Sequence, residues 1–447
     1  VLATAGTIAV YAGAGIGTTA NRFSGQYPHD SAGYPRFVRA LIIVSVSSAG
    51  VASALMLLGA APLARFLLRN DSLTTFLRLA ALSSGALVLL ECCRGLLIGQ
   101  RKFFSLLVVS LISGTGLIVV LPLAARISAG AMVAGQGCVA LLAVLGCVVF
   151  SRWLGIAPAK APVDKSGPGL RPVFMFGLMQ FSAVAGVSIA SWWIASLVAR
   201  ADPSLTEMGF YAVANQFRGL AAIGPGLLVQ VGYSLLTEES GETYGGPHKV
   251  MVANTFLATS LAALVAGGGI VFLPWVLLAA YGQPYMQAEI PVLLLLATAM
   301  IHMNGMPAAQ RLSIISIRAF GMINVVWAAL IVILGIVLVP KAGAIGAAIA
   351  FLVAHVASHA MVIVCLLRLH ELSVDYVWIC LVTVVGTGGL AWVGYLRAGA
   401  PSHSPALTVL LFSLWALLLV LLGYMGVKTG STPRSLPGRS KLTRVRA

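Results

Sequence analysis

Three polar residues recur at helical spacing inside a long apolar stretch of this chain. Tyr211, Asn215 and Arg218 are separated by four and three positions, so an α-helix would present all three on one face. A charged side chain within an apolar helix is costly and therefore faces a partner or a cavity. The guanidinium of Arg218 would either bind a phosphate-like anion or tie down a helix carbonyl. We favour the anion site and keep the structural tie as the alternative.

Two other charged positions are also candidates. Arg22 lies near the end of an apolar stretch, where it either guards the mouth of a cavity or reaches the membrane surface, as basic side chains at helix ends do. Glu91 and Arg94 are three positions apart, a spacing that favours a neutral pair. The alternative for Glu91 is a proton-coupling carboxylate.

Histidine and aromatic residues give weaker signals. His355 and His359 are four positions apart without a third ligand in the pattern, so we expect interhelical packing and no metal site. Other side chains would either line a sugar-sized cavity or simply fill a helical bundle: Trp192, Trp193, His302 and Asn304.

Sequence motifs of catalysis and cofactor binding are missing. The sequence contains no GxxxxGK[ST], HExxH or DxD motif. Residues 15–20 satisfy a dinucleotide-binding pattern, but they lie in an apolar helix without a preceding strand. We therefore expect no cofactor, and we do not expect an enzyme.

The elements that must position these residues are membrane-spanning helices. Of the 447 residues, 59% are hydrophobic and only 9% are charged, with a mean hydropathy of +0.98. Soluble domains carry about 25% charged residues, so a soluble fold is excluded. The apolar runs predict an all-α polytopic membrane protein with thirteen transmembrane helices. Their predicted bounds are 1–19, 37–60, 73–98, 103–125, 129–150, 173–199, 207–236, 249–279, 290–309, 319–339, 342–366, 376–396 and 404–427.

Lysine and arginine orient this bundle. One set of alternate links, together with the tail, carries twenty basic residues, and the opposite set carries seven. Because cytoplasmic loops hold the excess, we predict a cytoplasmic carboxyl terminus. The net charge of +16 then reflects topology and contact with anionic membrane lipids, and no nucleic-acid partner is expected. We call the end of the bundle predicted to face the cytoplasm the inner end, and the opposite end the outer end.

Two short matches indicate an internal repeat. Residues 100–103 resemble 317–320, and residues 129–131 match 342–344. The offset pairs the first predicted span with the seventh, so we expect a partner for the sixth span upstream of Val1. The chain would then contain two six-helix lobes in the same orientation, the first lacking its first helix, and two C-terminal helices. The predicted units are an N-terminal lobe (1–150), a cytoplasmic linker (151–172), a C-terminal lobe (173–369), two additional helices (370–427) and a basic cytoplasmic tail (428–447).

Three glycine-rich segments carry a family resemblance. Residues 11–23 (YAGAGIGTTANRF) are similar to the second helix and basic exit of polysaccharide flippases. Residues 208–238 resemble their G-x-Y-x-x-A segment with the helix that follows, and residues 340–350 (PKAGAIGAAIA) resemble the opening of their twelfth helix. The chain is therefore identified as similar to the multidrug/oligosaccharidyl-lipid/polysaccharide (MOP) exporter superfamily, and within it to the O-antigen-type flippases. These are helix-packing motifs, so they indicate the fold more strongly than the substrate.

The resemblance implies a transporter of the bacterial inner membrane that flips a lipid-linked oligosaccharide, a polyprenyl-pyrophosphate sugar, by alternating access. It implies a monomer among membrane lipids, with polysaccharide polymerase or glycosyltransferases as further partners. Substrate would be bound by Arg218, Asn215, Tyr211 and Arg22, and Glu91 is the candidate for coupling.

Two other functions remain as alternatives. A cation-coupled multidrug exporter of the same superfamily is disfavoured by the fourteen inferred helices, where twelve are usual, and by scarce intramembrane carboxylates. A membrane polymerase or glycosyltransferase is disfavoured because the sequence shows neither a sizeable extramembrane loop nor an acidic catalytic cluster.

Overall fold

The structure is a computed structural model, and it describes residues 8–9, 13, 15–27, 31–67, 71–153, 167–202, 204–237, 247–372, 374–399 and 404–431. These residues are almost entirely helical, and none of them belongs to a strand. Most of residues 1–14 of the predicted first span (1–19), residues 154–166 of the predicted linker and residues 432–447 of the predicted tail lie outside the described residues.

The described residues form thirteen α-helices, as the hydropathy pattern predicts. They are α1 (Ile16–Gln26), α2 (Tyr34–Pro62), α3 (Thr74–Gly99), α4 (Phe103–Ile127), α5 (Ala129–Trp153), α6 (Leu170–Ala201), α7 (Thr206–Thr237), α8 (Pro247–Ala262), α9 (Gly268–Tyr281), α10 (Glu289–Ile315), α11 (Ile317–Arg368), α12 (Val374–Ala398) and α13 (Pro405–Ser431). A π-turn, Ala263–Gly267, joins α8 and α9 into the one predicted span 249–279. Conversely, the long α11 contains two predicted spans.

A break inside α11 marks the predicted boundary between those two spans. Ala342 and Gly343 have non-helical dihedral angles, and Gly343 lies at φ 48° and ψ −125°. Most other predicted boundaries agree with the helices to within a few residues. The first span is the main exception, because α1 continues beyond position 19 to Gln26. Asn21 and Ser24 on this extension are buried rather than forming a polar link.

The helices of the described region are apolar enough for a membrane. Eight of them are long and apolar enough to cross it, and the bent helix α6 would make a ninth. The 52-residue α11 counts only once in this set although it holds two predicted spans. The chain is therefore a multi-pass helical membrane protein.

Buried apolar side chains form separate cores in the two halves of the chain. Three clusters lie in α1–α5, with Val173 of α6 joining one of them. One large cluster runs from Ala190 to Leu422 and includes residues of α12 and α13. The two C-terminal helices thus share the core of the C-terminal lobe.

Glycines allow the first helices to pack at very short distance. A methyl group on Gly95 of α3 would collide with the carbonyl oxygen of Gly17 on α1, and one on Gly99 would collide with Ser24. Small residues at helix interfaces are the usual means by which membrane helices approach closely. This packing holds Arg22 at a fixed position beside the C-terminal lobe.

The C-terminal helices are joined to the C-terminal lobe by polar contacts at backbone irregularities. Pro274 has no N–H, so the carbonyl of Ile270 lacks its helical partner. Arg397 of α12 donates to this carbonyl from Nη2 (2.9 Å) and to the Val271 carbonyl from Nη1 (2.7 Å). Trp415 of α13 similarly donates to the carbonyl of Ala263 in the π-turn (2.9 Å).

Candidate substrate site in the C-terminal lobe

The predicted polar face of α7 exists in the structure. Arg218 donates from Nε to Oδ1 of Asn215 (3.0 Å), one turn earlier on the helix. Tyr211 lies within electrostatic range of the guanidinium and is almost completely buried. Helical periodicity therefore brings together the three residues that it predicts, and Arg22 and Glu91 lie elsewhere.

Neighbouring helices complete the surroundings of Arg218 with aromatic rings. The guanidinium carbon lies 5.0 Å from the centre of the Phe351 ring on α11, a cation–π distance. His302 of α10 and His355 of α11 are also within electrostatic range of Arg218. Their two imidazole rings meet edge to face with centroids 4.9 Å apart. The site is thus built by α7, α10 and α11.

His355 is held in place from two sides. Nε1 of Trp327 lies 3.3 Å from Nδ1 of His355, and the carbonyl oxygen of Phe351 lies 2.8 Å from the same nitrogen. Nδ1 can accept from the indole in one tautomer or donate to the carbonyl in the other. In both cases Nδ1 is occupied, and Nε2 is the nitrogen left to face other groups.

The positive charge of Arg218 has no negative partner among the described residues. Nε is its only nitrogen with a protein acceptor there, and no described carboxylate forms an ion pair with it. Four glutamates of the described helices are engaged elsewhere: Glu91 with Arg94, Glu289 with Arg397, Glu371 with Arg311, and Glu207 with the amide of Ala344. The described site is therefore cationic.

Part of this site remains accessible. Phe351, Tyr211 and His355 are 1%, 4% and 6% exposed. Asn215, Arg218 and His302 are only partly buried, although Arg218 packs on Phe351 and His302 on His355. The accessible surface of the site is therefore polar and basic, a combination suited to an anionic group.

Arg22 occupies a different place, at the inner end between the two lobes. Its guanidinium carbon lies 4.4 Å from the centre of the Phe176 ring on α6 and within electrostatic range of Tyr233 on α7. Tyr233 follows Arg218 by fifteen positions on the same helix, about 20 Å along its axis. Arg22 and Arg218 therefore belong to separate sites.

Glu91 lies on α3 in contact with Arg94. The Glu91 carboxylate accepts from Nη1 of Arg94 (2.8 Å), and Nη2 of Arg94 donates to the hydroxyl of Ser113 on α4 (3.2 Å). This is the neutral pair that the spacing predicts. A coupling role for Glu91 stays a prediction.

The remaining candidates are divided among several places. Asn304 is fully buried and donates to Thr259 of α8 (3.0 Å) and Thr383 of α12 (3.3 Å), so it joins helices. Trp193 lies under Arg200 at a distance of 5.8 Å, at the outer end of α6. His359 is 8% exposed, and both of its ring nitrogens lack partners among the described residues. Of this group, only His302 and His355 lie close to Arg218.

Comparisons by sequence and by structure give different results. Neither a protein-family model nor a curated protein matches the sequence. Solved structures do match. A multidrug resistance MATE family transporter of the MOP superfamily, in an outward-facing conformation, aligns with a TM-score of 0.62 and 16% identity over 81% of this chain and 84% of its own. A MOP superfamily transporter from Pyrococcus furiosus, whose binding pocket is described as having reversed polarity, aligns with a TM-score of 0.60 and 16% identity over 82% of this chain and 86% of its own.

The lipid II flippase MurJ, in an inward closed conformation, aligns over more of the chain. Its TM-score is 0.57 at 13% identity, and the alignment covers 95% of this chain and 92% of MurJ. At these identities the comparisons establish the architecture. The chain has the helical fold of the MOP superfamily transporters, as MATE and MurJ do.

Proposed function

We propose that this protein is a transporter that flips a lipid-linked oligosaccharide, a polyprenyl-pyrophosphate sugar, by alternating access between its two lobes. The observation that carries the proposal is the unpaired guanidinium of Arg218 in the interior of the C-terminal lobe. A pyrophosphate would supply the negative charge that the described residues do not, and a guanidinium can bind it through two N–H groups.

The extent of the structural matches supports the same function. MurJ covers 95% of the chain, whereas the MATE transporters cover 81–83%. The difference corresponds to about the length of α12 and α13 together. A fold that includes these two helices resembles a lipid flippase more than a twelve-helix drug exporter.

A multidrug exporter is the second candidate, because the MATE match has the higher TM-score, 0.62 against 0.57. Exporters of cationic drugs need negative or aromatic surfaces in the lumen. Here Glu91 and Glu289 are paired with arginines, and the accessible group in the C-terminal lobe is itself a cation. Charge therefore favours an anionic substrate.

We place the protein in the bacterial inner membrane as a monomer with a cytoplasmic carboxyl terminus. The excess of Lys and Arg on one set of links supports this orientation. A polymerase or glycosyltransferases that act on the same lipid-linked sugar are its proposed partners. A reporter enzyme that is active only outside the cytoplasm should give no signal when it is fused to Ala447, and a strong signal would reverse the orientation.

Reconstituted vesicles test the function. The purified protein should transfer a fluorescent polyprenyl-pyrophosphate oligosaccharide between leaflets, which is measured by its protection from a membrane-impermeant quencher. Protein-free vesicles are the control. Efflux of a cationic dye from the same vesicles, without transfer of the lipid-linked sugar, would favour the multidrug exporter.

A further inference from the structure

The imidazoles of His302 and His355 lie within electrostatic range of Arg218, whose guanidinium packs on Phe351, and Phe351 in turn stacks on His355. The ring nitrogens of His302 have no hydrogen-bond partner among the described residues, but they remain accessible. Both ring nitrogens of His359, by contrast, are buried. His355 likewise keeps Nε2 unsealed while Nδ1 is held by Trp327 and Phe351. Accessible polar atoms from three helices thus surround one place in the lobe.

The charges around these imidazoles come from a small set of groups. Helix α7 contributes Arg218, α10 contributes His302, and α11 contributes His355 and His359. Helices α6, α8, α9 and α12 also pack against α10 or α11. Within the described residues they bring no titratable side chain into electrostatic range of the imidazoles. Arg218 therefore acts on both imidazoles, and His302 also acts on His355.

A proton on either imidazole would create a second positive charge beside the guanidinium. Like charges at short distance in a poorly solvated interior repel strongly. A dianion bound between them would reverse the interaction, because it attracts both the guanidinium and the imidazolium. The same anion would also accept hydrogen bonds from both groups.

We propose that Arg218, His302 and His355 form a single anion-binding site that takes up a proton when a phosphate-type dianion binds. The inference rests on the proposed function, because it describes how the same site would hold the pyrophosphate of the substrate. Linkage is reciprocal, so if anion binding promotes protonation, lower pH must tighten anion binding by the same factor. The site would thus bind dianions in preference to neutral or cationic groups.

Sulfate is a suitable probe, because it is a dianion that does not titrate near neutral pH. We expect the purified full-length chain in detergent to bind sulfate about tenfold more tightly at pH 6 than at pH 8, the factor expected when one proton is partly linked to binding across this interval. His302→Gln and His355→Gln keep polar side chains that do not titrate. Each should reduce the pH dependence, and the double variant should abolish it while binding sulfate as the unmodified chain does at pH 8.

Two controls separate this linkage from other effects. His370→Asn removes an exposed histidine outside the site, where φ is 56° and Asn is well tolerated, and it should leave the pH dependence unchanged. Arg218→Ala should remove most of the binding at every pH. Thermal melting of each variant identifies any that is unfolded. If His355→Gln is unstable, the pH dependence of sulfate binding is tested with His302→Gln alone, because His302 is partly exposed.

The outcomes distinguish this inference from the proposed function. An unchanged pH dependence in the folded double variant, or in folded His302→Gln if the double variant is unstable, would overturn the proton linkage and leave the anion site intact. Loss of sulfate binding at pH 8 in the same variant would also overturn it, because the histidines would then act as fixed donors. If the unmodified chain binds neither sulfate nor inorganic pyrophosphate, the anion site itself is wrong.

Discussion

Arg218 lies within an apolar helix without a carboxylate partner among the described residues, unlike three other arginines of these helices. Arg94, Arg311 and Arg397 each pair with a glutamate. An unpaired guanidinium within an apolar helix is costly, and the cation–π contact with Phe351 offsets only part of this cost. A protein that retains such a group has a use for its charge, which is the reason for placing the substrate here.

Replacing Arg218 should therefore impair transport more than folding. We expect Arg218→Ala to abolish transfer of a lipid-linked oligosaccharide at normal protein levels, because the pyrophosphate loses its partner. Arg218→Lys should retain part of the rate, since the charge remains without the bidentate geometry. Arg368→Ala, which removes an exposed charge at the end of α11, is the matched control and should transport normally. Failure of Arg218→Ala to accumulate in the membrane would support the structural role.

Arg397, unlike Arg218, has a structural role, because it holds α12 against the C-terminal lobe. Arg397→Ala would remove the ion-pair partner of the buried Glu289 and the donor to the Ile270 carbonyl, which should lower the free energy of unfolding by about 3–5 kcal/mol. Arg65→Ala breaks a pair that is about two-thirds exposed and should cost about 1 kcal/mol or less. Denaturant unfolding in detergent measures both. Equal losses of unfolding free energy in the two variants would show that the buried pair stabilises the fold no more than the exposed pair does.

Single residues of the site were predictable only where they share one helix. The spacing of Tyr211, Asn215 and Arg218 reports their common face because helical periodicity is local. His302 and His355 lie on α10 and α11, so only tertiary packing brings them to Arg218. Arg397 resembles an ordinary loop-end arginine in the sequence. Its burial depends on the carbonyl that Pro274 leaves open on a distant helix.

Acidic side chains connect the outer end of α7 to the break in the middle of α11. Asp202 accepts hydrogen bonds from the hydroxyl and amide of Ser204 and from the amide of Glu207. Glu207 in turn accepts from the amide of Ala344 (2.7 Å), directly after the break in α11. These contacts cap two helix starts, where backbone N–H groups lack helical partners.

The Asp202 cap should make stability depend on pH. Hydrogen bonds from Ser204 and from the amide of Glu207 hold the pKa of the Asp202 carboxyl below its usual range. A lowered folded-state pKa gives stabilisation that is present above about pH 4 and is lost as the pH falls through the lowered value. Asp202→Ala should therefore melt at a lower temperature than the unmodified chain at pH 7, with the difference shrinking towards pH 3. Asp375→Ala, in the first turn of α12, is the control. A melting-temperature difference that stays constant with pH would show that ionisation of Asp202 does not stabilise the fold.

Element boundaries were largely predictable, because long apolar runs bounded by polar links are strong signals. The sequence also indicates the break near Ala342, where the Pro-Lys-Ala-Gly segment interrupts α11. The extension of α1 to Gln26 was not predictable. Asn21 and Ser24 look like link residues, and only the close approach of α3 buries them.

The two lobes contact each other at the inner end of the molecule through α1 and α6. Phe23 and Arg22 of α1 pack against Phe176 of α6, with the Phe23 and Phe176 rings 5.7 Å apart. Gly15 lies so close to α6 that a methyl group would meet the carbonyl of Gly177 at 3.0 Å. Alternating access requires these contacts to separate when the inner end opens.

Cross-linking tests this requirement. In a chain whose native cysteines are replaced, Phe23→Cys with Phe176→Cys joins the two lobes. Phe23→Cys with Phe37→Cys joins α1 and α2 within one lobe, from rings 6.0 Å apart. A short bifunctional thiol reagent should block transfer in the first pair and spare it in the second. Continued transfer by the fully cross-linked Phe23→Cys and Phe176→Cys variant would show that the contact between α1 and α6 does not open during transport.

In the proposed transport cycle, Arg218 recognises the substrate through its pyrophosphate. The most direct measurement compares transfer of one oligosaccharide on two lipids in reconstituted vesicles, a polyprenyl pyrophosphate and an uncharged polyprenyl ether. We predict that the unmodified protein transfers the pyrophosphate form at least about tenfold faster, about 1.4 kcal/mol of discrimination, and that Arg218→Ala loses this preference. Equal transfer of both lipids by the unmodified protein, or an unchanged preference in Arg218→Ala, would contradict the account.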